Sequence, residues 1–597
     1  MGTMLKKRSE IEEKYKWNLE DLIPSKEALD ALLKEAEERI SVYGSYKGHL
    51  SDSAKTLAEF LAFDVELDEI FSRLFSYARQ KTDEDTSVGE YQALLSQVST
   101  LSTKAMETSA FVEPEILAIP EETMNRFLET EELAHYRLML KRILARKDHM
   151  LSEAEEKILS AASEVAQAPN SIFQLFNNAD LKFPVIEDEN GEKIEVTHGR
   201  YMKLLESKDR RVRKDAFCAL YSMYRQFANT VAASYEGNLK QACFFAKVRK
   251  YTSTREYYLS ANEIPELVYD NLLKAVEDRI SLLHRYVGIR KEMLGLDELH
   301  MYDLYVPLTA DYDEEITYEE AQELILKGLK PLGEEYLGIL KQGFESRWID
   351  VYENQGKRSG AYSNSVYGVH PYVMMSFNNG MNSTLTLAHE MGHSLHSWYS
   401  NHAQDATYAH YKIFVAEVAS TCNEILMLRH MIDHAKSKEE KKFLINQLLE
   451  SFRGTFFRQT MFAEFEWKTH QMCWEGTPLT KDVLCKLYHD LNVKYFGEDM
   501  VVDSDIDYEW ERIPHFYRPF YVYQYSTGFA AATAIAGKIL AGDQKALDGY
   551  FEFLKGGCSM TPIELLKLCG LDMEKPDVVN EALDVFETLL DELEACK

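Results

Sequence analysis

The stretch SKEALDALLKEAEERI, from Ser25 to Ile40, has the periodicity of an amphipathic helix. Its apolar residues recur every three or four positions behind a serine cap, so that one face of a helix carries Leu29, Leu32, Leu33 and Ala36. A second stretch, SEAEEKILSAASEVAQA, from Ser152 to Ala168, opens with a Ser-x-x-Glu capping box. Because this periodicity continues through most of the chain, the sequence predicts a mainly α-helical protein.

Composition and length agree with this fold class. The 597 residues include 28 glycines and 14 prolines, which is few for an architecture of strands and turns. The sequence has no visible internal repeat, which disfavours a regular solenoid. A chain of this length is expected to divide into two or three lobes, with room for a deep cleft between them.

Two segments interrupt the helical pattern. In FPVIEDENGEKIEVTHG, short apolar runs flank Asn190-Gly191, which is a strong β-hairpin signal. We place a boundary here, between an N-terminal helical region over residues 1–182 and a second region over residues 183–597. In the second segment, strand-like runs over residues 349–352 and 372–377 flank a loop with two glycines. They predict a small sheet directly before residue 382.

Charge and cysteine spacing limit the partners and the location. Lys and Arg number 67 against 98 Asp and Glu, a formal net charge of −31, so we expect neither nucleic acid nor an anionic membrane as a partner. The opening MGTMLKKRSEIEEKYKW has no apolar run behind its basic residues, which argues against a signal peptide. No segment approaches the length that spans a bilayer. Eight scattered cysteines without CxxC spacing predict free thiols in a reducing compartment, hence a cytoplasmic location.

The segment NSTLTLAHEMGHSLHSW, from Asn382 to Trp398, carries the candidate chemistry. It is typical of a helix capped by one of its first three residues, with His389 and His393 four positions apart, so that both imidazoles can reach one ion. Glu390 projects at an adjacent angle, where its carboxylate can contact water bound to that ion. Two neutral imidazoles, an open coordination position and a base are what zinc-assisted hydrolysis needs.

A catalytic zinc site requires a third protein ligand. His396 is one candidate, but it lies two turns from His389, roughly 10 Å along the helix, so a packed or hydrogen-bonded histidine is the favoured interpretation. In FVAEVASTCNEILMLRHM, Glu417 and Glu424 lie on the polar stripe of a helix that is otherwise apolar enough to be buried. Buried carboxylates are costly unless they are paired or bind metal. Glu417 is therefore a candidate third ligand, with Glu424 accepting the distal N–H of a ligand histidine; the alternative for each is a glutamate at a solvated edge.

Two of these stretches, FNNGMNSTLTLAHEMGHSLH and FVAEVASTCNE, resemble the oligopeptidases of peptidase family M3, the thimet oligopeptidase group, and most closely its bacterial oligoendopeptidase F branch. The segments KRSEIEEKYKWNLEDLIPS and HFYRPFYVYQYSTGFAAA are similar to the same branch, so the resemblance covers nearly the whole chain. It implies one zinc ion per chain, held by His389, His393 and Glu417. It also implies that Glu390 is the catalytic glutamate.

The resemblance has further implications for the site and the fold. The family has a histidine and tyrosines that face the scissile carbonyl, and the matching positions in IPHFYRPFYVYQYSTG are His515, Tyr521 and Tyr525, with Tyr517 and Tyr523 as rivals. The family fold has two helical lobes around a deep substrate channel. A small antiparallel β-sheet lies beside the helix with the HExxH motif.

The function that the resemblance implies is that of a zinc-dependent metalloendopeptidase of the gluzincin type. Its substrates would be short oligopeptides, hydrolysed at internal bonds in an enclosed channel, with Glu390 activating the zinc-bound water as nucleophile. Two alternatives stay open. One is a zinc aminopeptidase with the same ligands, although the chain has no Gly-x-Met-Glu-Asn segment to anchor a substrate N-terminus. The other is a non-enzymatic helical peptide-binding scaffold with a structural or accidental metal site. The oligomeric state and the cleavage preference are not predicted.

Two hypotheses concern substrate binding. The edge of the run HPYVMMSF would pair with an extended peptide backbone, the alternative being an internally paired strand. The loop around GKRSG would close on the peptide through its glycines and bring Lys357 or Arg358 near a carboxylate. The alternative for this loop is a solvated tip.

Overall fold

The computed structural model describes residues 5–309 and 315–596. Residues 1–4 lie outside these ranges. They are the first residues of the segment on which the signal-peptide prediction rests. The first helices are α1 (Lys26–Val42), α2 (Ala54–Glu84), α3 (Gly89–Ser109), α4 (Val112–Ala118), α5 (Glu121–Leu128), α6 (Arg137–Ala145), α7 (Glu153–Ala166) and α8 (Ala168–Leu175). The next are α9 (His198–Leu205), α10 (Arg210–Val248), α11 (Thr254–Ser260), α12 (Glu266–Asp278), α13 (Ser281–Met293), α14 (Tyr318–Gly328) and α15 (Gly333–Glu345).

Helices also fill the C-terminal part of the chain. They are α16 (Met381–Ala403), α17 (Ile413–Asp433), α18 (Lys438–Ser451), α19 (Arg458–Glu475), α20 (Lys481–Phe496), α21 (Tyr523–Leu540), α22 (Gln544–Lys555), α23 (Pro562–Leu568) and α24 (Asp577–Ala595). The strands are β1 (Val185–Glu187), β2 (Lys193–Glu195), β3 (Leu299–His300), β4 (Ile349–Asp350), β5 (Tyr362–Asn364), β6 (Tyr372–Met374) and β7 (Met500–Val501). The predicted mainly α-helical fold with small sheets is therefore confirmed.

Helices α1 and α7 begin where the sequence predicts. The Ser25 hydroxyl accepts the backbone N–H of Ala28, and α1 buries Leu33 and Ala36 as its periodicity predicts. At the start of α7, Ser152 and Glu155 form the predicted capping box, in which each side chain accepts the other residue's backbone N–H. The capping signals are local, which is why they can be interpreted without knowing the tertiary fold.

The hairpin signal is also confirmed. Strands β1 and β2 pair antiparallel, with Ile186 opposite Ile194. Gly191 in the turn has φ of 78°, in the left-handed region that glycine adopts without a steric penalty. The domain boundary that we placed at this hairpin stays a prediction.

The chain divides into two compact units, each built from three segments. Unit 1 is drawn from Met1–Met150, Asp313–Met427 and Lys538–Gly570, and unit 2 from Leu151–Tyr312, Leu428–Gly537 and Leu571–Lys597. Two units agree with the two predicted lobes, while the predicted deep channel stays a prediction. The core of unit 1 joins the N-terminal helices to the sheet strand β6 and includes Trp17, Phe60, Leu74, Leu140 and Tyr372.

The small sheet of unit 1 differs from its prediction in topology. Its strand order is β4-β6-β5, in which β5 pairs antiparallel with β6 and β4 pairs parallel with it, so the sheet is mixed and not purely antiparallel. A parallel pair needs a crossover of about a dozen residues or more, and residues 351–371 supply it. Strand β5 lies in this crossover, and its polar sequence gave no strand signal.

The run HPYVMMSF forms the middle of this sheet. Val373 lies opposite Ile349 on one side and Ser363 on the other. Over Tyr372–Met374 the hypothesis that this run binds the substrate backbone is therefore wrong, and the internally paired strand is the correct alternative. The backbone N–H groups of Met375 and Phe377 donate to the carbonyls of Asp350 and Val351 on the β4 side, and for residues 375–377 the hypothesis stays a prediction.

The loop around GKRSG is anchored to its surroundings. The buried Lys357 ammonium pairs with Asp350 at 2.6 Å, and the backbone N–H of Arg358 donates to the Asp83 carbonyl at 3.0 Å. The carbonyl of Gly356 accepts the backbone N–H of Thr86 at 2.7 Å. Lys357 thus has a carboxylate partner within the fold, and the hypothesis that it faces a substrate carboxylate is wrong.

Two further sequence features can be compared with the structure. The eight cysteines are free thiols, as their spacing predicts. In the described ranges, none of the helices is both long and apolar enough to cross a membrane.

Candidate metal centre

The HExxH helix of unit 1 begins earlier than its capping residues predict. Helix α16 starts at Met381, and Gly380 is its N-cap. The Ser383 hydroxyl instead donates to the Asn378 side chain at 2.6 Å and accepts the Asn378 backbone N–H at 3.2 Å. These bonds secure the turn before the helix, where Asn379 has φ of 55°. Local capping preference was the only sequence signal, and this turn overrides it.

Three side chains of unit 1 converge on one point. The Nε2 atoms of His389 and His393 lie 3.1 Å apart. Oε2 of Glu417 lies 3.4 Å from the first of these nitrogens and 3.6 Å from the second. The three residues form a group whose ligand atoms all lie within 4.8 Å of one another. The three ligands that the family resemblance implies are therefore brought together.

The spacing of these atoms fits a tetrahedral metal ion. Bonds of about 2.0–2.1 Å in a zinc site place neighbouring ligand atoms roughly 3.4 Å apart. The observed separations of 3.1, 3.4 and 3.6 Å scatter around this value. Two imidazole nitrogens and one carboxylate form the ligand set of many catalytic zinc sites, so the residues present fit the ion that the sequence implies.

Glu417 reaches the histidines because helices α16 and α17 approach closely. A Cβ atom on Gly392 would lie 2.5 Å from the Cα atom of Ser420 and 2.9 Å from the carbonyl oxygen of Ala419. The side-chain amide of Asn423 on α17 also donates to the Ala388 carbonyl on α16 at 3.2 Å. The glycine inside the HEMGH motif therefore has a structural role that the sequence analysis missed.

Glu424 orients one of the ligand histidines. Its carboxylate contacts Nδ1 of His389, so that the opposite ring nitrogen, Nε2, faces Glu417. This is the position that the sequence analysis assigned to Glu424. Burial lowers the pKa of His389, but hydrogen bonds to the two glutamates outweigh this effect and raise it to about 10. These carboxylates favour a partial positive charge at the imidazole, whether a proton or a metal ion supplies it.

The second histidine has a different environment. Burial and the adjacent His389 lower the pKa of His393 to about 4, and a hydrogen bond with the backbone of Ala416 opposes this shift. The imidazole is therefore neutral around pH 7. A metal ion requires a neutral ring, so this histidine needs no deprotonation before binding.

Glu390 lies beside the three candidate ligands but is not part of their group. Its side chain is buried, and it has a hydrogen bond with the backbone of Ser363 on β5. The Ser363 hydroxyl contacts the Ser394 hydroxyl on α16 at 2.9 Å, which connects strand and helix next to the glutamate. Burial raises the pKa of Glu390 to about 7. A carboxyl group with this pKa can accept and release a proton near neutral pH.

His396 is a packed residue and not a ligand. Its fully buried ring stacks on Tyr411 at a centroid distance of 3.8 Å and also contacts Phe553. Within the described part of the chain, neither ring nitrogen has a hydrogen-bond partner. Burial lowers its pKa to about 3, so the ring is neutral. The favoured interpretation of His396 is therefore correct.

The remaining candidate residues form a cluster of their own in unit 2. The Tyr525 hydroxyl and Nε2 of His515 lie 3.4 Å apart, and the rings of Tyr521 and Tyr525 pack edge to face at 5.4 Å. All three side chains are partly exposed. Burial, followed by the charge of Arg518, lowers the pKa of His515. The sequence-matched trio is thus one compact group of partly exposed side chains.

The two rival tyrosines lie in the protein interior. Tyr517 stacks on Phe173 at 4.3 Å and its hydroxyl donates to Ser234 at 3.3 Å. Tyr523 is only 1% exposed and packs against Tyr269. Burial favours aromatic packing as the role of both, and it favours Tyr521 and Tyr525 as the tyrosines that can meet a substrate.

The fold and this group of side chains agree with the comparisons with known proteins. A family model described as Peptidase family M3 matches residues 203–585, and one described as Oligopeptidase F matches residues 115–183. The chain belongs to peptidase family M3, which confirms the resemblance found in the sequence. The protein is therefore a peptidase.

Individual relatives narrow the comparison. The chain is 47% identical to Oligopeptidase PepF of Bacillus subtilis, over 99% of this chain and 89% of that protein. It is 42% identical to an oligoendopeptidase F homolog of Lactococcus lactis, over 99% of this chain and 98% of the homolog. Among solved structures, it is similar to oligoendopeptidase-F from Enterococcus faecium, with a TM-score of 0.76 and 38% identity over 95% of this chain and 98% of that one.

Proposed function

We propose that this enzyme is a zinc-dependent metalloendopeptidase that cleaves internal bonds of short peptides. The observation that carries the proposal is the convergence of His389, His393 and Glu417, with ligand atoms within 4.8 Å of one another. The buried Glu390 beside them supports a hydrolytic role over a purely structural one. Relatives whose names describe oligopeptidases and oligoendopeptidases support the choice of short peptides and internal bonds.

The protein residues prepare the site for the ion. His389, His393 and Glu417 would hold it, and Glu424 fixes the orientation of the first imidazole through Nδ1. When bound, a zinc ion supplies Lewis acidity, which polarises the scissile carbonyl and makes water acidic enough to attack at neutral pH. Three protein ligands leave room for substrate and water, as catalytic zinc sites require.

Glu390 is the proposed proton carrier. Its carboxylate takes the proton from the attacking water and then gives it to the nitrogen of the leaving amine. Burial, which raises its pKa to about 7, makes both steps accessible near neutral pH. The hydrogen bond with the Ser363 backbone keeps the carboxylate in one orientation between the two steps.

His515, Tyr521 and Tyr525 are proposed to stabilise the developing negative charge. A hydrogen bond from a phenol O–H or an imidazole N–H to the carbonyl oxygen lowers the activation barrier, because the negative charge develops on that oxygen during attack. The support for these residues is the family resemblance together with their mutual packing, in which the Tyr525 hydroxyl lies 3.4 Å from His515. The cytoplasmic location and the enclosed channel stay predictions.

The test is a mixed set of peptides of graded length, with free and blocked N-termini, incubated with the wild type and with Glu390→Gln. Mass spectrometry should find internal cuts in short peptides with either terminus, and these cuts should disappear in the variant. Cleavage confined to free N-termini would establish an aminopeptidase instead. If the zinc-loaded wild type cut nothing, the metal site would have to be structural or accidental.

A further inference from the structure

A buried glutamate of unit 2 has no role in the site described so far. Glu466 lies on α19 with 0% of its surface exposed. Its Oε1 atom accepts the backbone N–H of Phe520 at 2.7 Å, whereas Oε2 has no hydrogen-bond partner in the described ranges. Because a buried carboxyl group without a cation lowers stability, its presence calls for a role other than stability.

The partner of this glutamate is an unusual backbone position. Phe520 has φ of 55°, in the left-handed region that residues with a Cβ atom rarely adopt. Such a conformation persists only where surrounding contacts enforce it. Phe520 directly precedes Tyr521, and Tyr525 lies in the first turn of α21, so this peptide leads into the segment that carries both tyrosines of the proposed site.

Helix α19 contacts Phe520 through three residues, one of which is Trp467, whose ring centroid lies 6.3 Å from that of the Phe520 ring. Glu466 binds the backbone, and His470, one turn later, packs its ring on the Phe520 ring at a centroid distance of 4.6 Å. His470 is fully buried, and neither ring nitrogen has a hydrogen-bond partner among the described residues. Its pKa is lowered to about 3 by burial. Both polar side chains therefore contact this one residue in the protein interior.

Within the described part of the chain, four tyrosines interact electrostatically with Glu466: Tyr235 on α10, Tyr258 on α11, Tyr269 on α12 and Tyr523 on α21. Arg255 on α11 lies over the rings of Tyr269 and Trp467, but its charge is paired with Glu266 and Asp270. Burial raises the pKa of Glu466 to about 8, and the hydrogen bond from Phe520 opposes this shift. The group is therefore a neutral carboxylic acid at pH 7, and its carbonyl oxygen suffices to accept the amide N–H.

We propose that Glu466 is a positioning residue for peptide hydrolysis, which holds the left-handed turn at Phe520 and thereby fixes the orientation of Tyr521 and Tyr525. This inference rests on the proposed function, because it assigns the tyrosines to the substrate carbonyl. The effect of Glu466 is transmitted through its hydrogen bond with the Phe520 backbone.

The test compares two substitutions with a matched control on the same helix. Glu466→Gln keeps an acceptor for the Phe520 N–H, whereas Glu466→Met has similar length and no acceptor. Glu464→Gln is the control, since that buried glutamate pairs with Lys468 and Lys494 instead. We expect the methionine variant to lose tenfold or more in kcat with KM changed less than twofold, and the glutamine and control variants to stay within threefold of the wild type at pH 7.

A double variant separates positioning from loss of structure. In Glu466→Met/Tyr525→Phe, kcat should fall no further than in the less active of the two single variants, because both changes remove the same interaction with the carbonyl. Additive losses in the double variant would overturn the proposal.

The outcomes also distinguish this inference from the proposed function. If Tyr521→Phe and Tyr525→Phe both retain wild-type kcat, the tyrosine assignment fails and the role of Glu466 fails with it. If a tyrosine variant loses activity while Glu466→Met does not, positioning by Glu466 alone is wrong and the proposed function stands.

Discussion

Gly392 has no space for a side chain, because a Cβ atom there would lie 2.5 Å from the Cα atom of Ser420. The contact joins the helix that carries both histidines to the helix that carries Glu417. The glutamate oxygen lies 3.6 Å from His393 only because the two backbones approach this closely. The residue inside the motif is thus as much a part of the proposed metal site as the ligands are.

Gly392→Ala should therefore weaken both stability and metal binding. The neighbour at this position is backbone, which cannot move aside as a side chain can, so we expect a loss of about 1–3 kcal/mol in unfolding free energy. Thermal unfolding and zinc competition with a chromophoric chelator measure the two effects.

The matched control is Gly338→Ala in α15 of the same unit, where an added Cβ atom meets nothing within 4 Å. Alanine has the higher helix propensity, so this change should be neutral or stabilise by up to about 1 kcal/mol. Equal effects of the two substitutions would contradict the close-approach argument.

Glu424→Gln should lower zinc affinity by about 10- to 100-fold, the usual effect of removing a carboxylate that orients a ligand histidine. The reason is its contact with Nδ1 of His389, which sets the direction of Nε2. The apparent dissociation constant for zinc, measured by chelator competition at fixed pH, tests this. Asp433→Asn, at the exposed end of the same helix near Arg429, should leave the constant unchanged.

Glu390→Gln should lower kcat by about 10²- to 10⁴-fold, the range for loss of a general acid–base group. Zinc content should remain one ion per chain, because the ligand group of His389, His393 and Glu417 does not include this residue. Activity assays and metal analysis on the same preparation check both expectations. Loss of zinc together with activity would assign Glu390 to metal binding and not to proton transfer.

Removal of the metal should abolish activity and lower the melting temperature. The ion would bind the folded state and not the unfolded chain, so stability should rise with free zinc according to its affinity. Calorimetry of chelator-treated protein with graded zinc measures this shift. A melting temperature that does not depend on zinc would contradict a site formed in the folded state.

The sequence predicts the metal ligands better than it predicts the strands and close helix contacts that position them. Helix geometry, which is local, predicts that His389 and His393 share one face and that Glu417 lies on a polar stripe. In the structure the Glu417 side chain is half-buried. Ser363 could not be found in this way, since the residues of β5 are polar and become a strand only by pairing with β6. The same limit explains the central position of β6, because the partners of a strand depend on the tertiary fold.

Glu466 shows the same limit and leads to the last prediction. In the sequence it is one of several acidic residues on a helix, and only the structure reveals its burial and its bond with Phe520. The pKa of Glu466 is about 8 in the folded protein, above the value of about 4.3 expected for an unfolded chain. A raised carboxyl pKa means that the unfolded state ionises first, so the folded state loses stability as pH rises between these two values.

Glu466→Gln removes this titration. Below about pH 4 Glu466 is protonated in both the folded and the unfolded state, so its ionisation should not contribute to the difference in unfolding free energy between the variant and the wild type. Their difference in unfolding free energy should then grow in favour of the glutamine variant, by up to a few kcal/mol, and level off above about pH 8, where both states of the wild type are ionised. Chemical denaturation at pH 5, 7 and 9 measures the difference, with Glu464→Gln as the control.

Glu464 is paired with lysines, which hold its pKa below the usual value, so its removal should cost stability at pH 7. A difference for Glu466→Gln that does not change with pH would show that Glu466 is ionised throughout.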